Sequence, residues 1–190
     1  VQERLGPQAI LFAGGPYAGR RLSDLAAELN KPFEKVIIDD LGYGGPQSAH
    51  FVMVPEVHDQ FILADYINIA TDGSPELLHP RSAGSFAKVL QEYVGEAPLL
   101  TLEQAIHKMS GLPARILGLK DRGILAPGMK ADLVVLTPEK VRNNATWQEP
   151  LLRPDGFDAV IVNGAIALEQ GRPQGRHGKM LRRPGSASAQ

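Results

Sequence analysis

Ile67-Asn68-Ile69-Ala70-Thr71-Asp72-Gly73-Ser74 is a short apolar run that ends in a carboxylate and a turn. The run through Thr71 predicts a strand, with Asp72 just past its end. A polar, proline-rich loop follows from Gly73 to Gly84, and Phe86, Val89, Leu90 and Tyr93 then recur at helical spacing. Strand, carboxylate, loop and helix form the order of a βα unit. In (β/α) barrels the chemistry gathers at the C-terminal ends of the strands, so Asp72 stands where ligands and bases collect. A plainer reading competes with this one, because an Asp before Gly often does no more than fix the turn that it begins.

Toward the N-terminus the same alternation continues. Ile10 to Ala13 predicts a strand that runs into Gly14-Gly15-Pro16, and Leu22, Leu25, Ala26 and Leu29 mark a helix with Ser23 as its N-cap. Pro32 opens a helix carrying Phe33, Val36, Ile37 and Leu41 on one face. Ala49 to Val54 reads as a strand and Pro55 to Leu63 as a helix. Toward the C-terminus, Thr101 and Gln104 stand in capping-box spacing before Leu102, Ala105, Ile106 and Met109, and this helix stops at Ser110-Gly111. Pro113 allows a short helix through Leu117, which Gly118 breaks. After Arg122 the texture turns to β: Ala131 to Leu136, Ala159 to Val162 and Ala165 to Leu168 are strands. Asn163-Gly164 joins the last two as a type I′ hairpin. The segment from Pro184 to Gln190 has no apolar anchor and is expected to be mobile.

Composition narrows the function classes. The 190 residues are 43% hydrophobic and 22% charged, an ordinary globular balance rather than a disordered one. Twenty Lys and Arg against 21 Asp and Glu leave a net charge of −1, so nothing in the bulk charge points to nucleic acid or an anionic membrane. The absence of cysteine excludes disulfides, thiol nucleophiles and thiolate metal ligands, while leaving cytosol and periplasm both compatible. No run approaches the ~18 apolar residues of a membrane-spanning helix. The expected compartment is the cytoplasm.

Few residues are able to carry chemistry. His79-Pro80-Arg81 lies in the loop after Asp72, and the planar fork of Arg81 suits a substrate carboxylate. The plainer readings are an Arg81 paired with Glu76 and a His79 packed on Pro80. His50, His58, His107 and His177 form no His-x-His pair and no pair one helical turn apart. No Gly-x-Ser-x-Gly elbow is present, and the Gly-Gly pairs at 14–15 and 44–45 do not form a phosphate loop. Trp147, Tyr93 and Phe157 are scattered and read as structural.

Taken together, Ala70 to Pro75, His79-Pro80-Arg81, Gly84-Ser85-Phe86 and Leu102 to Met109 resemble the C-terminal part of N-acyl-D-amino-acid deacylases (D-aminoacylases) of the amidohydrolase superfamily. So do Leu112 to Arg115, Ala145-Thr146-Trp147 and Val162-Asn163-Gly164. The stretch Gly118 to Val135, with Pro127-Gly128-Met129-Lys130-Ala131-Asp132, is similar to many amidohydrolases and marks the superfamily, whereas the loop from Asp72 to Arg81 points to the deacylases.

The resemblance implies an α/β fold: the C-terminal part of a metal-dependent (β/α)8 TIM barrel plus a small β-sandwich domain. Residues 1–122 would belong to the barrel, its eighth strand ending at Thr71, and residues 123–183 to the sandwich. The matching Asp, Asp72, would be the metal-site carboxylate at zinc and the general base that takes a proton from the attacking water and hands it to the departing amine. Arg81 would hold the α-carboxylate of an N-acyl-D-amino acid, with Ser74 and His79 as further substrate-binding residues.

The early His-x-His pair and the other metal ligands characteristic of that family have no counterpart here. Asp72 alone cannot hold zinc, since catalytic zinc takes about three protein ligands. With a barrel needing eight strands, and with Val1 in place of Met, the chain reads as the C-terminal portion of a longer polypeptide. The N-terminal portion of the same enzyme is then its expected partner and the source of the remaining ligands. Two alternatives stay open: another amidohydrolase, acting on a cyclic amide or dihydropyrimidine, or a non-catalytic structural remnant.

Overall fold

The structure is a computed structural model that describes residues 6–74 and 77–181. The expected mobile tail at 184–190 lies outside the described residues, as do Glu76 and the last two positions of the expected second domain. The chain divides into two compact units: one comprises Val1–His58, Asp72–Gly84 and Ala145–Leu152, the other Asp59–Thr71, Ser85–Asn144 and Arg153–Gln190.

In the first unit, β1 (Ile10–Phe12) pairs antiparallel with β2 (Ser48–His50), Leu11 lying opposite Ala49. The strand read over 49–54 is thus shorter and begins one residue earlier, because β1 offers a partner over three residues. Helix α1 (Leu22–Glu28) starts at Leu22 with Arg21 in the N-cap position, and Ser23 turns its hydroxyl to the Asp24 carboxylate instead of capping. Helix α2 (Phe33–Lys35) passes into a π-helical turn over Val36–Leu41. Phe12, Leu22, Leu25 and Val36 form the core, all at most 3% exposed. Each such burial is worth roughly 1.5–3 kcal/mol, so the apolar spacing read from sequence is what holds this unit together.

Helix α3 (Pro55–Leu63) and helix α4 (Arg81–Lys88) each run across a boundary of the units. In the second unit α4 continues as a π-helical stretch over Val89–Glu96. Helix α5 (Leu102–Met109) begins at a complete capping box: the Gln104 N–H donates to the Thr101 hydroxyl, and the Thr101 N–H donates to the Gln104 side chain. Helix α6 (Gly111–Ile116) ends where Gly118 takes φ +73°. Strands β3 (Leu133–Leu136), β4 (Phe157–Val162), β5 (Ala165–Glu169) and β6 (Arg172–Pro173) make one antiparallel sheet in that order. Its β4–β5 hairpin turns at Asn163 and Gly164 with φ +51° and +83°, the doubly positive φ of the expected turn. Ala87, Val89, Leu90, Leu100, Ala105 and Val141 form this unit's core, with Ile62, Ile69 and Met109 packed on it.

Residues 67–71 do not form a strand. A strand requires a laddered neighbour, and no described strand pairs with this segment. The Ile69 N–H donates instead to the Lys108 carbonyl at the end of α5, 2.9 Å away. No described helix is long and apolar enough to cross a membrane.

Candidate active site

Asp72 leaves the extended segment with its side chain 82% exposed, and Arg81 reaches back to it from the first residue of α4. The Arg81 Nη2 donates to Asp72 Oδ2 at 2.5 Å, and its Nε donates to the Asp72 carbonyl at 3.4 Å. The guanidinium thus grips both the carboxylate and the backbone of Asp72 across eight intervening residues. Such charge-assisted contacts from a planar fork fix direction as well as distance.

The loop is organised by its own polar groups. The Ser82 N–H donates to the His79 carbonyl and the Gly84 N–H to the Pro80 carbonyl, starting α4, while the Ser82 hydroxyl donates to the Leu77 carbonyl at 3.1 Å. Ser74 is exposed, and its carbonyl accepts from the Leu77 N–H at 3.2 Å. The Arg81 N–H donates to His79 Nδ1 at 3.0 Å, so the neutral ring carries its proton on Nε2. Burial, and then the nearby Arg81 cation, push the His79 pKa below 6.5, with the Asp72 carboxylate pulling partly the other way. At neutral pH His79 is therefore a neutral Nε2–H donor.

His79 stands edge-on to Trp147, with ring centroids 4.7 Å apart and planes at 69°. Trp147 also meets Phe51 at 5.4 Å, and the Arg21 guanidinium lies 5.2 Å from the Phe51 ring centre. Asp72, Arg81 and His79 are thus brought together within one loop. Trp147, read from sequence as structural and scattered, is what covers His79. No local spacing links positions 79 and 147, so periodicity had no means of pairing them. The pairing expected between Arg81 and Glu76 falls outside the described residues. Of the other histidines, His50 is exposed at the end of β2, its Nε2 3.1 Å from the Ser48 hydroxyl, and His58 is half-buried.

Among the described residues no group of three or more His, Asp or Glu is placed to hold a metal ion. Asp72 offers one hard oxygen donor, which suits a single position in a zinc site and does not make a site by itself.

The model of the "Amidohydrolase family" matches residues 37–168. An N-acyl-D-glutamate deacylase of Alcaligenes xylosoxydans xylosoxydans is 48% identical over 120 residues, covering 62% of this chain and 25% of the relative. A D-aminoacylase of the same organism is 39% identical over 170 residues, covering 87% and 34%. The solved structure of an N-acyl-D-glutamate deacylase from Bordetella bronchiseptica, complexed with zinc and a phosphonate inhibitor that mimics the tetrahedral intermediate, superposes with a TM-score of 0.83. It is 35% identical, and the match covers 96% of this chain and 39% of that one. The chain therefore spans about a quarter to two-fifths of the length of the proteins it matches. Its fold is the α/β fold of the amidohydrolases, and the chain belongs to the D-aminoacylase family of the amidohydrolase superfamily.

Proposed function

We propose that this chain is the C-terminal portion of a zinc-dependent amidohydrolase that cleaves the amide bond of N-acyl-D-amino acids, giving a carboxylate and a D-amino acid. The observation that carries the reading is the Asp72–Arg81 pair: a carboxylate and a guanidinium held 2.5 Å apart in the loop that marks the deacylases. Its relatives, an N-acyl-D-glutamate deacylase and a D-aminoacylase, support the substrate class. The zinc in the solved neighbour supports the metal.

Asp72 would stand as one zinc ligand, the others coming from an N-terminal portion of the same enzyme. Bound zinc supplies Lewis acidity, which acidifies water and polarises the acyl carbonyl. As the oxygen of water adds to the carbonyl carbon, Asp72 takes a proton from that water. It returns the proton to the amide nitrogen as the C–N bond breaks, so the amine leaves neutral. Arg81, which in this structure pairs with Asp72, would turn its fork to the substrate's α-carboxylate and so fix the stereocentre relative to the base, with the neutral His79 and Ser74 as donors beside it. Residues 1–122 would contribute to the barrel, and residues 123–183 to a β-sandwich of which the four-stranded sheet is one layer.

In the full-length enzyme, Asp72→Asn should lower kcat on N-acetyl-D-amino acids by at least about 10²-fold while circular dichroism stays unchanged. Near-normal turnover would overturn the assignment. Arg81→Lys keeps the charge but loses the fork, so KM should rise about tenfold or more, as expected for ~1.4 kcal/mol or more of lost contact. An unchanged kcat/KM would remove the clamp.

A further inference from the structure

We propose that Lys108 is a positioning residue for this reaction, its ammonium and its carbonyl together fixing the segment that leads into Asp72; the inference rests on the reading of Asp72 as the base. Lys108 occupies the last turn of α5 and is the one charged side chain buried among the described residues, at 4% exposure. Its Nζ donates to the Ala64 carbonyl at 2.5 Å and to the Ile67 carbonyl at 3.2 Å. Its own carbonyl accepts from the Ile69 N–H at 2.9 Å. The Ile67 N–H closes a turn on the Ala64 carbonyl at 3.1 Å, so one lysine holds that turn and the residue two places beyond it. Asp72 follows Ile69 by three residues.

Stability alone does not call for a lysine here. Burying an ammonium costs several kcal/mol before its partners repay it, and Ile62, Ile69 and Met109 already supply an apolar core beside it. A methionine would fill the same volume. What methionine cannot do is direct donors at two carbonyls, and that directional hold is what a backbone without a strand ladder lacks at 67–71. Helix α5 is a suitable post for the task. Its start is fixed by the Thr101 and Gln104 capping box, a cation in its last turn is favoured by the helix dipole, and the Lys108 carbonyl is among those that a helix end leaves for an outside donor. Since a misplacement of about 1 Å costs a reacting group up to 10²-fold in rate, a loosened turn upstream of the base is felt in the chemical step.

The test uses the full-length enzyme with Lys108→Met, Lys108→Arg, Asp72→Asn and the double variant Asp72→Asn/Lys108→Met, measuring kcat, KM, zinc content by mass spectrometry and melting temperature. Lys108→Met should lower kcat about 10- to 100-fold, with KM, which Arg81 sets, within about twofold, and Lys108→Arg should recover most of the loss. In the Asp72→Asn background the methionine should cost nothing further, because coupled residues are non-additive. Wild-type kcat in Lys108→Met, a loss confined to KM, or the same fold-loss with and without Asp72 would each overturn the proposal. If Lys108→Met does not accumulate folded enzyme, Lys108→Gln, which keeps a donor, is read by the same criteria. Full activity of Asp72→Asn alone would remove the underlying assignment of the base, a result distinct from any outcome at Lys108.

Discussion

His79 shows how a single side chain takes its chemical state from its neighbours. Its Nδ1 is spent on the Arg81 N–H, and burial depresses its pKa below 6.5, with the Arg81 cation adding to the effect. A histidine depressed in the fold is favoured there as the neutral ring. Its contribution to stability is therefore present above about 6.5 and is lost as pH falls through the lower folded value. An NMR titration should place the His79 midpoint below 6.5, and Trp147→Ala, by uncovering the ring, should move it up. A midpoint unmoved by Trp147→Ala would show that the ring contact contributes nothing to the desolvation. At this scale the sequence was readable where residues lie close along the chain: Asp72, His79 and Arg81 share one loop, and they were singled out by their place after an expected strand and by the family resemblance. The Trp147 cover and the Lys108 anchor were not readable, because each depends on residues about 40 to 70 positions away along the chain.

Most elements with strong local signals were read correctly, the Ser23 cap excepted, and of the expected strands the one at 67–71 did not form. The capping box at Thr101 and Gln104, the stop at Gly118 and the Asn163-Gly164 hairpin each follow from the stereochemistry of two to four adjacent residues. Residues 33–41 and 86–93 were read as helical from apolar spacing, and both are, but the second helix already starts at Arg81 inside the expected loop, and each widens into a π-helical stretch. The apolar period does not separate 3.6 residues per turn from a slightly larger repeat over so few turns. Ile67 to Thr71 has the composition of a strand, yet a strand is a property of two segments rather than one. Without a described neighbour, its backbone groups turn to the end of α5.

Across the whole molecule the two units keep separate cores, and one polar residue joins much of the second. Arg122, half-buried at 14% side-chain exposure, pairs through Nη1 with Asp132 Oδ2, while the Asn163 N–H donates to Asp132 Oδ1 at 2.7 Å. The Gly164 N–H donates to the Ala131 carbonyl, and the Lys130 N–H to the Asp121 carbonyl at 2.7 Å. Asp132 thereby clasps the segment after α6 to the β4–β5 hairpin turn. Asp132→Ala removes the acceptor of a charged donor and of a backbone N–H, and should cost about 1–3 kcal/mol in thermal or urea unfolding. In the full-length enzyme kcat below the melting temperature should be unchanged, and a large fall in kcat would give Asp132 a direct part in the chemistry. Asp132 lies within Gly118 to Val135, the stretch of the chain that looks most widely like an amidohydrolase. What that stretch forms in this chain is a fastening between secondary-structure elements, so a likeness there speaks of how the polypeptide is buckled together and is silent on what is hydrolysed. Two proteins with very different substrates can wear the same buckle.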